Sequence, residues 1–323
     1  MKAVVYTKYG GPEVLHISEV EKPIPKDSEV LIKVCAVSIN DWDWSLIEGT
    51  IFVNRLLYGL FKPTKKIVGS DVAGRIDAVG KNVQHLKIGD EVFGDLSEKW
   101  GGFAEYVCAS ESELALKPPT MTFREAAAIP QAAMLAVQGL IDKGKIRRGQ
   151  KLLINGAGGG VGTFGLQIAK LNGAEVTVVD SAPKLAMLSA MGADDVIDYK
   201  REDFTKTGKR YDLILDVKTN RSIFHYLRAL SSNGSYITVG GSMSRLFQAL
   251  LLGPLISLFS KKKIIIVALK PNKDLAYMNK QFEAGKIKPI LDREFQLEEI
   301  REAFELFRKG EHRGKVVINV LEC

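Results

Sequence analysis

Lys151–Leu171, KLLINGAGGGVGTFGLQIAKL, is the run that decides the fold. Its apolar opening (Leu152, Leu153, Ile154) stops at Asn155, and glycines follow at Gly156, Gly158, Gly159, Gly160 and Gly162. A helical pattern then begins, with Val161, Phe164, Leu166, Ile168 and Leu171 at its apolar positions. Strand, glycine turn and helix in that order make a seat for a pyrophosphate. Residues without side chains let backbone N–H groups reach phosphate oxygens. The helix N-terminus adds unpaired N–H groups and a partial positive charge. The expected seat is Asn155, Ala157, Gly158, Gly159, Gly160, Val161 and Gly162. A second strand, Glu175–Val179, ends in Asp180, close to the spacing of about 20 residues at which an acid meets the adenosine ribose. A bound dinucleotide would in turn point to hydride transfer. A glycine loop that merely caps a helix is the competing explanation, and it does not account for a strand on each side.

Outward from this run, residues 122–286 alternate strands and helices, which argues for a doubly wound parallel sheet covered on both faces, an α/β fold. Residues 1–121 read as short strands punctuated by turns such as Gly10–Pro12 and Gly101–Gly102. The tail, 287–323, returns to strand–helix–strand and is expected to complete the first domain. Two domains suit a chain of 323 residues. The opening MKAVVYTKYGGPEVL lacks the apolar core of a signal peptide. Three cysteines (Cys35, Cys108, Cys323) without a CxxC pair argue against a disulfide framework and for a reducing, cytoplasmic setting. The net charge of +7 is spread along the chain, so it reads as a solvated surface that attracts an anionic cofactor, and no nucleic-acid partner is expected. The apolar stretch Leu246–Phe259 is too short to span a bilayer and runs on to Lys261–Lys263. An interfacial helix competes there with a loop closing the cleft or a segment buried in a dimer contact. Gly253–Pro254 is expected to break the helix, so membrane association is not expected.

Several further segments together resemble the medium-chain dehydrogenase/reductases, in particular their zinc-independent quinone oxidoreductase branch. These are KVCAVSINDWD (Lys33–Asp43), IVGSDVAGRIDAVG (Ile67–Gly80), GDEVFG (Gly89–Gly94), GGFAEYV (Gly101–Val107), the AxGGVG glycines, ADDVIDYKREDF (Ala193–Phe204) and HRGKVVINV (His312–Val320). The resemblance covers essentially the whole chain. It implies a GroES-like catalytic domain, a Rossmann domain, a cofactor cleft between them and a homodimer. Zinc-dependent relatives carry a cysteine where Asn40 stands, Gly-His-Glu where Gly69–Ser70–Asp71 stands, and four cysteines in a lobe where Asp95–Ser110 holds only Cys108. His16, His85, His225 and His312 are scattered, so no metal site is expected.

Without a metal to lower an alcohol pKa, reduction of a quinone or an α,β-unsaturated carbonyl is the easier hydride chemistry, because the acceptor needs only a hydrogen-bond donor at its oxygen. Asn40 is either that polar contact near the nicotinamide or a turn residue at a strand end. Asp71 is expected to accept local backbone hydrogen bonds, and Asp43 to cap a helix starting near Trp44. Trp42, Trp44, Tyr58 and Phe61 either line an apolar pocket for an aromatic substrate or pack as core or lid. The cofactor is NAD(P)H. Asp180 favours NADH by repelling a 2′-phosphate, whereas the resemblance, with Ser181 and Lys184 as polar and basic partners, inclines the reading to NADPH. Tyr199 matches a residue at the adenosine end in relatives, and Gly240 and Gly241 follow the next strand as they do there. Leu135 replaces a threonine of the relatives and Lys218 a glycine. These two departures keep open a second class, a cofactor-binding sensor with little catalysis.

Overall fold

The computed structural model describes residues 1–323. The chain divides into two compact units. One comprises Met1–Gln131, Pro271–Ala284 and Leu291–Cys323, the other Ala132–Lys270 and Gly285–Ile290.

In the first unit, β1 (Lys2–Val5) and β2 (His16–Glu19) form an antiparallel pair. The long β3 (Glu29–Ser38) is buried almost throughout, because it carries neighbours on its whole length. Helices α1 (Asp41–Glu48) and α2 (Phe52–Tyr58) follow it. Then come β4 (Asp71–Val79), β5 (Glu91–Asp95), β6 (Tyr106–Ser110), β7 (Ala115–Leu116) and α3 (Phe123–Ala127). The chain passes to the second unit within α4 (Pro130–Val137).

In the second unit every strand but the last feeds a connection to another parallel strand. In chain order these are β8 (Lys151–Asn155), α5 (Gly160–Leu171), β9 (Glu175–Asp180), α6 (Ala182–Ala190) and β10 (Asp195–Asp198). They continue as β11 (Tyr211–Asp216), α7 (Ile223–Ala229), β12 (Leu230–Thr238), α8 (Met243–Phe259) and β13 (Lys263–Ile266). All neighbours are parallel, in the order β10-β9-β8-β11-β12-β13. The order reverses direction beside β8, and an open parallel sheet binds its ligand at such a switch point. Leu153, Val179, Ile214, Tyr226 and Tyr236 form a core cluster of this unit.

The chain returns to the first unit with α9 (Leu275–Glu283), β14 (Leu291–Gln296), α10 (Ile300–Lys309) and β15 (Lys315–Asn319). β15 pairs antiparallel with β3, so the sheet runs β14-β15-β3-β4-β5-β7, with β6 also on β3. Val34, Phe103, Phe304 and Ile318 meet in the core of this unit.

Two expectations from sequence are corrected here. Cys35 and Cys323 form a disulfide, leaving only Cys108 free. They lie 288 residues apart, but hydrogen bonding of Val320 N–H to the Cys35 carbonyl brings the C-terminal segment alongside β3, a proximity that no spacing rule reveals. Gly253–Pro254 does not break the helix: α8 runs unbroken for 17 residues. A Cβ on Gly253 would sit 3.2 Å from Cβ of Ile264, so the glycine lets α8 lie close against β13, while Pro254 faces outward. No helix is long and apolar enough to cross a membrane.

Candidate functional site

Two clusters gather the residues singled out by sequence, one inside each unit. In the second unit the glycine turn is held from three sides. Gly156 and Ala157 donate their N–H groups to the Val179 carbonyl, and Gly158 donates to Asp180 Oδ2 at 2.7 Å. A Cβ on Gly162 would lie within 2.6 Å of Ala157 Cα, Ala157 O and Gly156 O, all backbone, so the helix can approach the turn only through glycine. The N-cap of α5 is Gly159, and no side chain caps it. The first-turn N–H groups of Gly160, Val161 and Gly162 therefore have no side-chain acceptor, the condition that suits an anion.

Asp180 is turned into this turn. Besides Gly158 it receives the Ser181 N–H at 2.8 Å on Oδ1, and Lys184 Nζ lies 3.9 Å from that oxygen. Asp180 and Lys184 are both buried, and the Lys184 stem lies over Gly158. Tyr199, half exposed, is tied to the same strand end by its N–H to the Asp180 carbonyl.

The neighbouring strand ends are joined through Asp216, which is fully buried. Its Oδ1 accepts from Asn155 Nδ2 at 2.8 Å and from the N–H groups of Lys218 and Thr219, and its Oδ2 accepts from the Tyr236 hydroxyl at 2.7 Å. Thr219, at φ 42°, donates to the Gly240 carbonyl. Gly241, at φ 108°, is pressed onto the Lys218 carbonyl so closely that a Cβ would stand 2.1 Å away. The stem of Lys218 covers Gly156. Asn155, Gly240 and Gly241 thus share one hydrogen-bonded rim. Sequence reasoning passed over Asp216 and Thr219. The available signal was an acid ending the apolar strand Tyr211–Asp216.

In the first unit the register sets Ser38, Asp71 and Asp95 side by side at the ends of β3, β4 and β5. Lys315, the first residue of β15, reaches this row: Nζ is 3.7 Å from Asp71 Oδ2 and donates to Asn40 Oδ1 and to the Ile39 carbonyl. Asn40 Nδ2 in turn donates to Ser70 Oγ at 3.1 Å. Ammonium only donates, so Lys315 fixes which end of the Asn40 amide is oxygen. Asp43 stands at the third position of α1 and accepts the Asn40 N–H at 2.8 Å and the Gly69 N–H at 3.1 Å. The helix therefore starts at Asp41, earlier than expected. Asp71 accepts from distant groups, Gln131 N–H at 3.1 Å and Ser38 Oγ, not from local backbone, while its Oδ1 has no hydrogen-bond partner.

Burial dominates the electrostatics of this cluster. It raises Asp43 to about 8 despite two N–H donors, with Asp71 repelling in the same direction. It raises Asp71 to about 7 against the pull of Lys315. It lowers Lys315, against the attraction of Asp71 and Asp43. Asp95 is raised by the same desolvation. Sequence reasoning passed over Lys315, which shows only as a lysine opening an otherwise apolar strand. Trp42 is more than half exposed and stacks on buried Trp100, and Phe61 is exposed, so neither is core. No group of three or more His, Cys, Asp or Glu residues is placed to hold a metal ion.

These features, a six-stranded parallel sheet with a glycine cradle at its switch point and a separate β-rich unit, define a dinucleotide-binding two-domain oxidoreductase fold. The comparisons with known proteins agree. Residues 26–119 match the alcohol dehydrogenase GroES-like domain and residues 191–318 match a zinc-binding dehydrogenase domain. The chain is 33% identical to 2-methylene-furan-3-one reductase of Solanum lycopersicum, over 99% of this chain and 79% of the relative. It is 30% identical to the NADPH-dependent alkenal/one oxidoreductase of Arabidopsis thaliana, over 98% of this chain and 79% of the relative. The quinone oxidoreductase from Coxiella burnetii superposes with a TM-score of 0.88 at 29% identity, over 99% of each chain. The chain belongs to the medium-chain dehydrogenase/reductase superfamily, in its quinone oxidoreductase branch.

Proposed function

We propose that the protein is a zinc-independent NAD(P)H-dependent reductase acting on quinones or α,β-unsaturated carbonyls. The glycine cradle of Gly158 and Gly162 at the switch point carries this reading, together with family membership. Bound reduced nicotinamide supplies a hydride. The N–H groups opening α5 receive the pyrophosphate, and Tyr199 flanks the adenosine end. Asn155, Ala157, Gly240 and Gly241 shape the rim. With both Asp180 oxygens accepting N–H groups and Lys184 beside them, the carboxylate is largely spent within the protein, which removes the main objection to a 2′-phosphate. Ser181 and Lys184 are the groups assigned to that phosphate, hence NADPH over NADH. Asn40 is assigned to the acceptor oxygen: its amide, which donates to Ser70 through Nδ2, is the group that would donate as negative charge develops on the substrate. Lys315 positions the amide. The division of labour, the first unit for catalysis and the second for the dinucleotide, the cytoplasmic setting and a homodimer belong to the same proposal.

Anaerobic stopped-flow oxidation of NADPH and NADH, each with 9,10-phenanthrenequinone and with an alkenal, tests the reading. The expected result is turnover with either acceptor, faster with NADPH. Tight binding of both cofactors without oxidation of either would replace the enzyme with a cofactor sensor, in which Lys218 over Gly156 marks the departure from the family.

A further inference from the structure

The outward face of α8 and the basic cavity at its end are not used by the hydride chemistry. α7 and α8 lie side by side: the Ile223 N–H donates to Gln248 Oε1, and Leu227, Leu252 and Ile256 pack on one cluster. That inward face satisfies α8 against the sheet. Its opposite face is just as apolar and is exposed: Phe247, Leu250, Leu251, Leu255, Leu258 and Phe259, at helical spacing. Leu251 is 70% exposed and Leu258 75%. The stripe is about 18 Å long at the helical rise per residue. An apolar stripe of this extent on a soluble unit calls for an occupant.

Charge identifies the occupant. At the C-terminal end of α8 a cavity of about 500 Å³ is lined by Arg210, Arg228, Lys262 and His225, with Phe224 and Leu227. No carboxylate pairs with Arg210, Arg228 or Lys262, whose donors reach only backbone carbonyls where they bond at all. Burial first, and then repulsion by the neighbouring Arg210, lower the pKa of Lys262. Lys261 and Lys263 add two more exposed cations beside it. Apolar side chains along one helix, ending in an unpaired cationic cavity, match a bilayer surface with anionic headgroups.

We propose that α8 docks this protein onto an anionic phospholipid surface, its outward stripe entering the acyl boundary and a headgroup phosphate lodging among Arg210, Arg228 and Lys262. The docking is peripheral, since α8 is too short to span. It does not depend on which acceptor the enzyme reduces.

Flotation of the intact protein with vesicles tests this. Phosphatidylcholine vesicles containing phosphatidylglycerol are expected to carry it upward, and phosphatidylcholine alone to leave it behind. Arg210→Glu/Arg228→Glu, at two exposed positions, should lower binding at least tenfold, and Leu251→Ser/Leu258→Ser comparably, with circular dichroism and melting unchanged. If the double serine variant is unstable, Leu251→Ser alone serves. Failure to float with either vesicle, or equal flotation with both, would overturn the proposal. So would glycerol phosphate binding to the cavity in calorimetry without flotation, which would assign the cations to a free phosphate. Dissociation of a dimer by the serine substitutions in sedimentation velocity would assign the stripe to a second copy and overturn it equally.

Discussion

The two clusters solve opposite problems with opposite means. In the second unit a short run of chain, from Asn155 to Gly162, does most of the work by removing side chains, so that backbone N–H groups become the binding surface. In the first unit nearly every contribution is a side chain, and Ser38, Asn40, Asp43, Asp71, Asp95 and Lys315 arrive from the ends of separate strands and one helix start. The glycine site leaves polar backbone open to a ligand. The buried cluster holds ionisable groups at a cost that mutual hydrogen bonding and the Lys315–Asp71 pair offset. One region therefore gives way when atoms are added, the other when a partner is removed.

Lys315→Met gives the largest test of that difference. It leaves Asp71 and Asn40 Oδ1 buried without their cation, and loss of one partner of a buried pair costs about 3–5 kcal/mol. Urea unfolding should show that loss. Adding Asp71→Asn should recover part of it, because the orphaned charge is then gone. A single substitution costing under about 1 kcal/mol, within the range of a surface pair, would mean that Lys315 is neutral in the fold or solvated.

The pH dependence comes next, at a few kcal/mol by the value of a pKa shift. Asp43 holds its proton to about pH 8 when folded but releases it near 3.8 when unfolded, and Asp71 behaves alike up to about 7. Between those limits the unfolded chain binds fewer protons, so raising the pH favours unfolding. Lys315 has the opposite sign: its lowered folded pKa makes stability rise with pH up to 10.5. Stability measured from pH 4.5 to 8 should fall, with a shallower slope in Asp43→Asn. That variant is itself less stable, because its amide nitrogen faces a backbone N–H. An unchanged slope would mean that Asp43 is ionised throughout.

A smaller effect is expected in the glycine site, and on affinity before stability. Gly162→Ala drives a methyl into three backbone atoms. Overpacking of this kind costs about 1–3 kcal/mol, which is about fivefold to 150-fold in Kd for NADPH by fluorescence titration. Unaltered affinity would separate the cradle from the cofactor.

The same contrast explains what the sequence disclosed. The parallel sheet and its loop were legible because strand, glycines, helix and Asp180 are local, and a backbone-built site must announce itself as missing side chains. Asn40, Asp43 and Asp71 were visible as polar residues in otherwise apolar segments, yet their partners were not, because register across β3, β4 and β15 decides who meets whom. Asp71 looked like an acceptor of local N–H groups and instead receives Gln131 from another element. The Cys35–Cys323 disulfide was hidden for the same reason. Gly253–Pro254 reads from sequence as a break, yet α8 stays whole because Gly253 packs closely on Ile264 and Pro254 stands on the exposed face.

Lys184 brings a side-chain effect into the glycine site. Lys184 is buried beside Asp180, and its stem covers Gly158, so it has two possible duties: supporting the turn, or presenting charge to a 2′-phosphate. Lys184→Ala separates them. If the ammonium meets the phosphate, Kd for NADPH should rise about tenfold, about 1.4 kcal/mol, while Kd for NADH changes less than about twofold. NADH lacks that phosphate and sees only the turn. Equal weakening of both cofactors would assign Lys184 to the packing of Gly158, and the preference for NADPH would then lose its basic partner. Because Asp180 keeps both N–H donors in the variant, its own charge should not rise enough to reject NADPH altogether. Complete loss of NADPH binding with NADH retained would show instead that Lys184 is what neutralises Asp180, and that the acid faces the ribose once released.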